Sequence, residues 1–170
     1  TFQHGANVMV PGDTLFARAG TYAQRFTINV SGSAGGGYIT FQNYPSETPM
    51  IDGTGLGAGV AIQAFSKAYL KIVGFVVQNN LGGGIQFHGQ SDHIEIRNNT
   101  IRNQTFQTGT DGHPIVVSSL CWPNLCHASN IIIDGNLIHD VVTGIPEAFD
   151  EALTVAWRVN GFTITNNTLY

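Results

Sequence analysis

Three features of the sequence predict an all-β chain wound as a parallel β-helix, a single-stranded solenoid. The first is a repeated stretch. HIEIRNNTI (His93 to Ile101), NIIIDGNLI (Asn130 to Ile138) and GFTITNNTL (Gly161 to Leu169) share one pattern: apolar, any, apolar, two turn residues, Asn, any, apolar. The second is elastic spacing. YLKIVGFVV (Tyr69 to Val77) keeps the apolar positions with Phe75 in place of Asn, and YITFQNYPS fits through Ile39, Phe41 and Tyr44. The first apolar residues of the copies fall at 39, 70, 94, 131 and 162, so the steps are 31, 24, 37 and 31. A self-similar unit with variable insertions is one structural turn repeated. The third is composition: 21 glycines among 170 residues, with abundant Asn, Thr and Ser, favour turns and strands over long helices.

The chain is the size of one domain, residues 1–170, and its 42% hydrophobic content is enough for a core. Seven Lys plus Arg against eleven Asp plus Glu, a net charge of −4, leave no basic surface for a phosphate backbone, so nucleic acid is not an expected partner. No apolar run has the length of a membrane span, and a membrane is not an expected partner either. No signal peptide is present. TFQHGAN reads as the end of a short amphipathic segment, and Tyr170 closely follows a repeat's last apolar position. The expectation is therefore the N-terminal part of a longer helix. Cys121 and Cys126, separated by WPNL, are expected to form a disulfide in a secreted, extracellular protein; two free buried thiols are the alternative. Asn29, Asn98, Asn103 and Asn166 head glycosylation-type triplets, which Asn-rich turns also produce by chance.

Residues 1–59 read as an N-terminal cap and first coils. Val8 and Val10 precede the turn Pro11-Gly12-Asp13, after which Leu15, Ala17 and Ala19 alternate as in a strand. Phe26, Ile28 and Val30 form a second strand, Ile39 and Phe41 a third, and Met50-Ile51 a short fourth before Asp52-Gly53. Each is too short to stand alone, but stacked on the repeats they would serve as an atypical terminal unit. Residues 60–170 read as regular coils with loop insertions. Apolar pairs Val60/Ile62, Ile85/Phe87, Ile115/Val117 and Leu153/Val155 alternate with the repeats, giving three strands and three turns per coil. Coils spaced by about 4.8 Å would stack Asn99, Asn136 and Asn167 into an Asn ladder of structural purpose, with Phe75 as its aromatic lid. GLGAG (Gly55 to Gly59) leads from IDGT into a strand and is a turn, not a dinucleotide loop.

On VMVPGDTLFARAGTY, YITFQNYPSETPMIDG and the three Asn-containing repeats, the sequence resembles the right-handed parallel β-helix superfamily of pectate lyases and related polysaccharide-degrading proteins, over essentially its whole length. The resemblance implies a right-handed coil, a site along one external sheet flanked by long loops, and a polysaccharide or oligosaccharide as partner. It is specific for fold and leaves the chemistry open.

The sheet fed by the longest loops carries Ile85/Phe87, Ile115/Val117 and Leu153/Val155. With these turned inward, Gln86, Val116 and Thr154 form one outward column, and His88, Ser118 and Ala156 the next. Entering loops bring Asp111 and His113 on one coil and Glu147, Asp150 and Glu151 on the following one. His113, Glu151, Asp111 and Asp150 are thus the catalytic candidates. In a lyase acting on acidic polysaccharide, a divalent cation, calcium on Asp111, Asp150 and Glu151, would acidify the proton beside the substrate carboxylate, and His113, His88 or Arg158 would remove it. A glycoside hydrolase would instead need two carboxyls, roughly 5 to 5.5 Å apart for retention or 6.5 to 9.5 Å for inversion, such as Asp111 with Glu151. A binding or structural module is the non-enzymatic alternative, and solvated loop charge explains the cluster equally well. His88, Gln86, Trp157, Arg158 and Trp122 are the substrate-binding candidates, the tryptophans and Phe149 for stacking on sugar rings or else for packing the loops. An open last coil would expose strand edges, so end-to-end self-association is expected.

Overall fold

A computed structural model of the chain describes residues 1–105, 112–119, 121, 126–142 and 151–170. After the helix α1 (Phe2–Val8), short strands follow in threes. The first coil holds β1 (Thr14–Ala17), β2 (Gly20–Tyr22) and β3 (Phe26–Ile28). The second holds β4 (Ile39–Asn43), β5 (Pro49–Asp52) and β6 (Ile62–Phe65), and the third β7 (Ala68–Val73), β8 (Val76–Gln78) and β9 (Gly83–His88). The fourth holds β10 (Asp92–Arg97), β11 (Thr100–Thr105) and β12 (His113–Ser118), and the fifth β13 (Ala128–Asp134), β14 (Leu137–Val142) and β15 (Leu153–Ala156). Strands β16 (Val159–Thr165) and β17 (Thr168–Leu169) begin a sixth. Every strand pairs in parallel with the one three places along. Three parallel sheets result: β1-β4-β7-β10-β13-β16, β2-β5-β8-β11-β14-β17 and β3-β6-β9-β12-β15, a solenoid-like arrangement.

Register follows the repeat. Ile39, Leu70, Ile94, Ile131 and Phe162 are successive partners in the first sheet, and Phe41, Ile72, Ile96, Ile133 and Ile164 are the next inward column. A slip of one residue would turn both columns out of the core, which is why the period-two pattern fixes the pairing. The first four members of each column are buried, whereas Phe162 and Ile164 are exposed on the last coil.

The corner between the first and second sheets explains the two turn residues of the repeat. Gly74, Asn98, Gly135 and Asn166 all have φ between 53° and 73°, the left-handed region that Gly and Asn tolerate best. The residue after each turns inward. Asn99 Nδ2 donates to Asn136 Oδ1 (3.1 Å) and to Ile72 O, and Asn136 Nδ2 donates to Asn167 Oδ1 (2.9 Å) and to Ile96 O. At the other end of this run the Phe75 amide donates to Asn99 Oδ1 at 3.0 Å. Corner backbone that would otherwise be buried unpaired is satisfied in this way.

TFQHGAN folds as α1, with Thr1 Oγ1 accepting from the His4 amide; its Phe2 packs on Phe26, Tyr22 and Phe75 at the first coil. Two local expectations need correction. The inward pair on β6 is Ile62 and Ala64, not Val60 and Ile62, because Ala64 pairs with Phe87 and leaves room for that ring. Tyr44 does not continue the Asn column: it is exposed, in a longer corner, under the Arg18 guanidinium.

Candidate functional site

The third sheet presents the face on which the candidate residues converge. Alternation turns Ile62, Ile85 and Ile115 into the core, and leaves outward one row of Thr27, Gln63, Gln86, Val116 and Thr154. A second outward row runs Phe65, His88, Ser118, Ala156. Phe65 is 53% exposed, whereas Gln86, Val116 and Ser118 are buried.

His113 is the first residue of β12, not a loop residue, and lies in register with Gly83. A side chain at Gly83 would collide with the Gln86 amide and the His113 carbonyl, so glycine admits this close approach. Three atoms of the next coil surround the buried imidazole: Nδ1 lies 3.3 Å from Glu151 O, 3.4 Å from Thr154 Oγ1 and 3.5 Å from Glu151 Oε2. Thr154 Oγ1 donates to that same carboxylate oxygen at 3.4 Å. Carbonyl and carboxylate oxygens accept only, so Nδ1 is the nitrogen placed to donate, which leaves Nε2 as the nitrogen that can take a proton.

His88 stands two residues after Gln86 on β9. Its Nδ1 is 2.8 Å from Ser118 Oγ, its Nε2 is 3.1 Å from Gln86 Oε1, and its ring stacks on Phe65 at 5.5 Å. Trp157 (70% exposed) and Arg158 occupy the corner after β15, at the opposite end of that strand from Glu151, so they are not brought to His113. Lys67, two residues beyond Phe65, stands at the equivalent corner of an earlier coil. Asp111, Asp150 and Trp122, with Glu147 and Phe149, lie outside the described residues. Cys121 and Cys126 form a disulfide. Among the described residues no group of three or more His, Cys, Asp or Glu is placed to hold a metal ion. Of the expected calcium ligands Glu151 is the one among the described residues.

Two features escaped sequence reasoning. Phe65 was not singled out because its place beside His88 depends on the register of β6. On the outer face of the first sheet, Lys71 Nζ and Arg97 Nε lie 3.0 and 2.6 Å from the two Glu95 oxygens, and Arg97 Nη1 reaches Asp134 at 2.8 Å. Burial pushes the Glu95 carboxyl up, but hydrogen bonds from Arg97 and Lys71 outweigh it and hold the group below its usual range. Lys71, Glu95, Arg97 and Asp134 at outward positions of KIV, EIR and IID were the available signal.

No family model matches the chain. A Bacillus subtilis (strain 168) protein, the uncharacterized protein YwoF, is 26% identical over 178 residues, covering 98% of this chain and 36% of that protein. This chain thus spans about a third of that relative's length. The crystal structure of an alginate lyase from Paenibacillus sp. str. FPU-7 matches with a TM-score of 0.60 at 18% identity, over 98% of this chain and 62% of the lyase. Among the described residues no helix is long and apolar enough to cross a membrane. At this identity the likeness to the lyase is one of fold alone.

Proposed function

We propose that this chain belongs to a secreted protein acting on acidic polysaccharide by β-elimination, on a right-handed parallel β-helix of the pectate lyase-like kind. The observation that carries the reading is His113, whose Nδ1 is turned to Glu151 and whose Nε2 is left as the basic nitrogen. Fold likeness to an alginate lyase supports it, as does the disulfide for an extracellular location. His113 Nε2 takes the proton beside the uronate carboxyl, the carbon–oxygen bond of the neighbouring linkage breaks, and a carbon–carbon double bond forms. Glu151 and Thr154 orient the ring and stabilise its charged form. Calcium would offset the substrate carboxylate when bound through Glu151 with Asp111 and Asp150.

Pectate, alginate and chondroitin, each with calcium or with a chelator, provide the test. Ultraviolet-absorbing unsaturated ends should appear with at least one polymer and fall by about 100-fold or more in His113→Gln. New reducing ends without unsaturation, or an undiminished rate in H113Q, would refute the assignment.

A further inference from the structure

We propose that Ser118, His88 and Gln86 form an acyl-transfer site that hydrolyses small ester groups carried on a saccharide. The orientation of each group follows from its neighbours. Gln86 Nε2 lies 3.4 Å from both Gly82 O and His113 O, which can only accept, so the nitrogen end of the amide is identified. Gln86 Oε1 is therefore the atom facing His88 Nε2 at 3.1 Å, and Nε2 carries the ring proton. His88 Nδ1 then holds the lone pair, and the Ser118 hydroxyl donates to it at 2.8 Å. A nucleophile bonded to a base, with the base fixed by a third group, is the arrangement that activates serine.

Strand register brings the three groups together. Gln86 and His88 are i and i+2 on β9, both outward, and Ser118 is the register partner of His88 on β12. Ser118 and His113 are five residues apart on β12, roughly 16 Å, so this is a second place on the face. Phe65 beside His88 is 53% exposed, which offers its phenyl face to a sugar ring next to the hydroxyl.

The reaction is balanced with water. Ser118 Oγ bonds to the acyl carbon as its proton passes to His88 Nδ1, the bond from that carbon to the sugar oxygen breaks, and the sugar oxygen takes the proton. Water, deprotonated by His88, then releases the acid and restores the serine. Gln86 acts as a positioning residue through His88.

The test uses p-nitrophenyl acetate for turnover and diisopropyl fluorophosphate for labelling, read by mass spectrometry of the Ser118 peptide. The whole chain should release nitrophenolate and carry one adduct at Ser118. Ser118→Ala should do neither, and His88→Gln should lose about 100-fold in both. Gln86→Glu should raise the rate and move the alkaline-rising limb of the pH profile upward, since a carboxylate raises the basicity of the ring, an effect that a purely structural Gln86 would not give. An unlabelled Ser118 in protein with an intact circular dichroism spectrum would overturn the proposal, as would labelling undiminished in H88Q. Neither readout involves a double bond, so failure of the elimination reading leaves this test intact.

Discussion

Glu95 and Arg97 stand two residues apart on β10, turned away from the core, with Arg97 Nε 2.6 Å from the carboxylate. Lys71 closes the other side at 3.0 Å while its ammonium sits 4.2 Å above the Tyr38 ring, and Arg97 continues to Asp134. Glu95 is only 8% exposed, so the pairing is worth more than an ordinary surface ion pair. Glu95→Gln should leave two cations facing each other and cost about 2 to 4 kcal/mol, somewhat below a fully buried pair because Lys71 and Arg97 are each 31% exposed. A drop in the urea midpoint at unchanged slope would show it; a shift under about 0.5 kcal/mol would mean that the charges are solvated.

Acid should weaken the second sheet through Asp52. Burial works to raise this carboxyl, but hydrogen bonding from the Thr54 side chain, Gln78 (2.7 Å), the Thr54 amide (2.8 Å) and Asn79 (3.1 Å) outweighs it and brings the group from 3.8 down to about 2. Because the folded value lies below the unfolded one, the contribution is whole above 3.8 and disappears as pH falls toward 2. Asp52→Asn should therefore be less stable than the parent near neutral pH, with the gap closing at the acid end of that window. A gap that stays constant with pH would rule the linkage out.

The repeat was legible because burial of one strand face makes a period of two unavoidable: Ile39, Leu70, Ile94 and Ile131 could be placed in one column from sequence alone. The corner was legible too, since few residues accept the φ of Gly74, Asn98 and Gly135. Ala64 was not, because a small residue is apolar enough for the core only when a large neighbour such as Phe87 fills the space. The charged row was hidden for another reason. Lys71 and Glu95 are 24 residues apart, and their contact exists only once the register is set. At the candidate site the columns His88–Ser118 and Gln86–Thr154 followed from alternation, whereas the ring orientations depend on amide and carbonyl directions that no pattern of residue types encodes.

Asn136 holds the corner between its neighbours, donating to Ile96 O and Asn167 while accepting at Oδ1 from the Asn99 amide. Asn136→Ala would leave these groups buried without partners at about 1 to 3 kcal/mol each, so a loss of about 3 to 5 kcal/mol is expected after partial relaxation. Ile138→Val, in the same corner, should cost only about 1 kcal/mol. Similar losses in the two variants would show that packing, not hydrogen bonding, sets the rise between coils.

The disulfide offers the last handle, because it links stability to the face that carries Ser118. Cys121 and Cys126 are five residues apart, and closing so short a loop removes little disorder from the unfolded chain, about 2 kcal/mol by loop entropy. Its position matters more. A side chain on Gly89 would come within 3.4 Å of Cys121 Sγ, so the bridge rests on the residue after His88. A double Cys121→Ser, Cys126→Ser variant should stay folded with a lowered unfolding midpoint, yet lose ester hydrolysis by a larger factor than its stability alone implies, since His88 and Ser118 lose the contact that steadies their corner. The kinetics of diisopropylphosphoryl labelling at Ser118, measured well below the variant's melting range, separate the two effects. Unchanged labelling would make the bridge a staple for its own loop and nothing more.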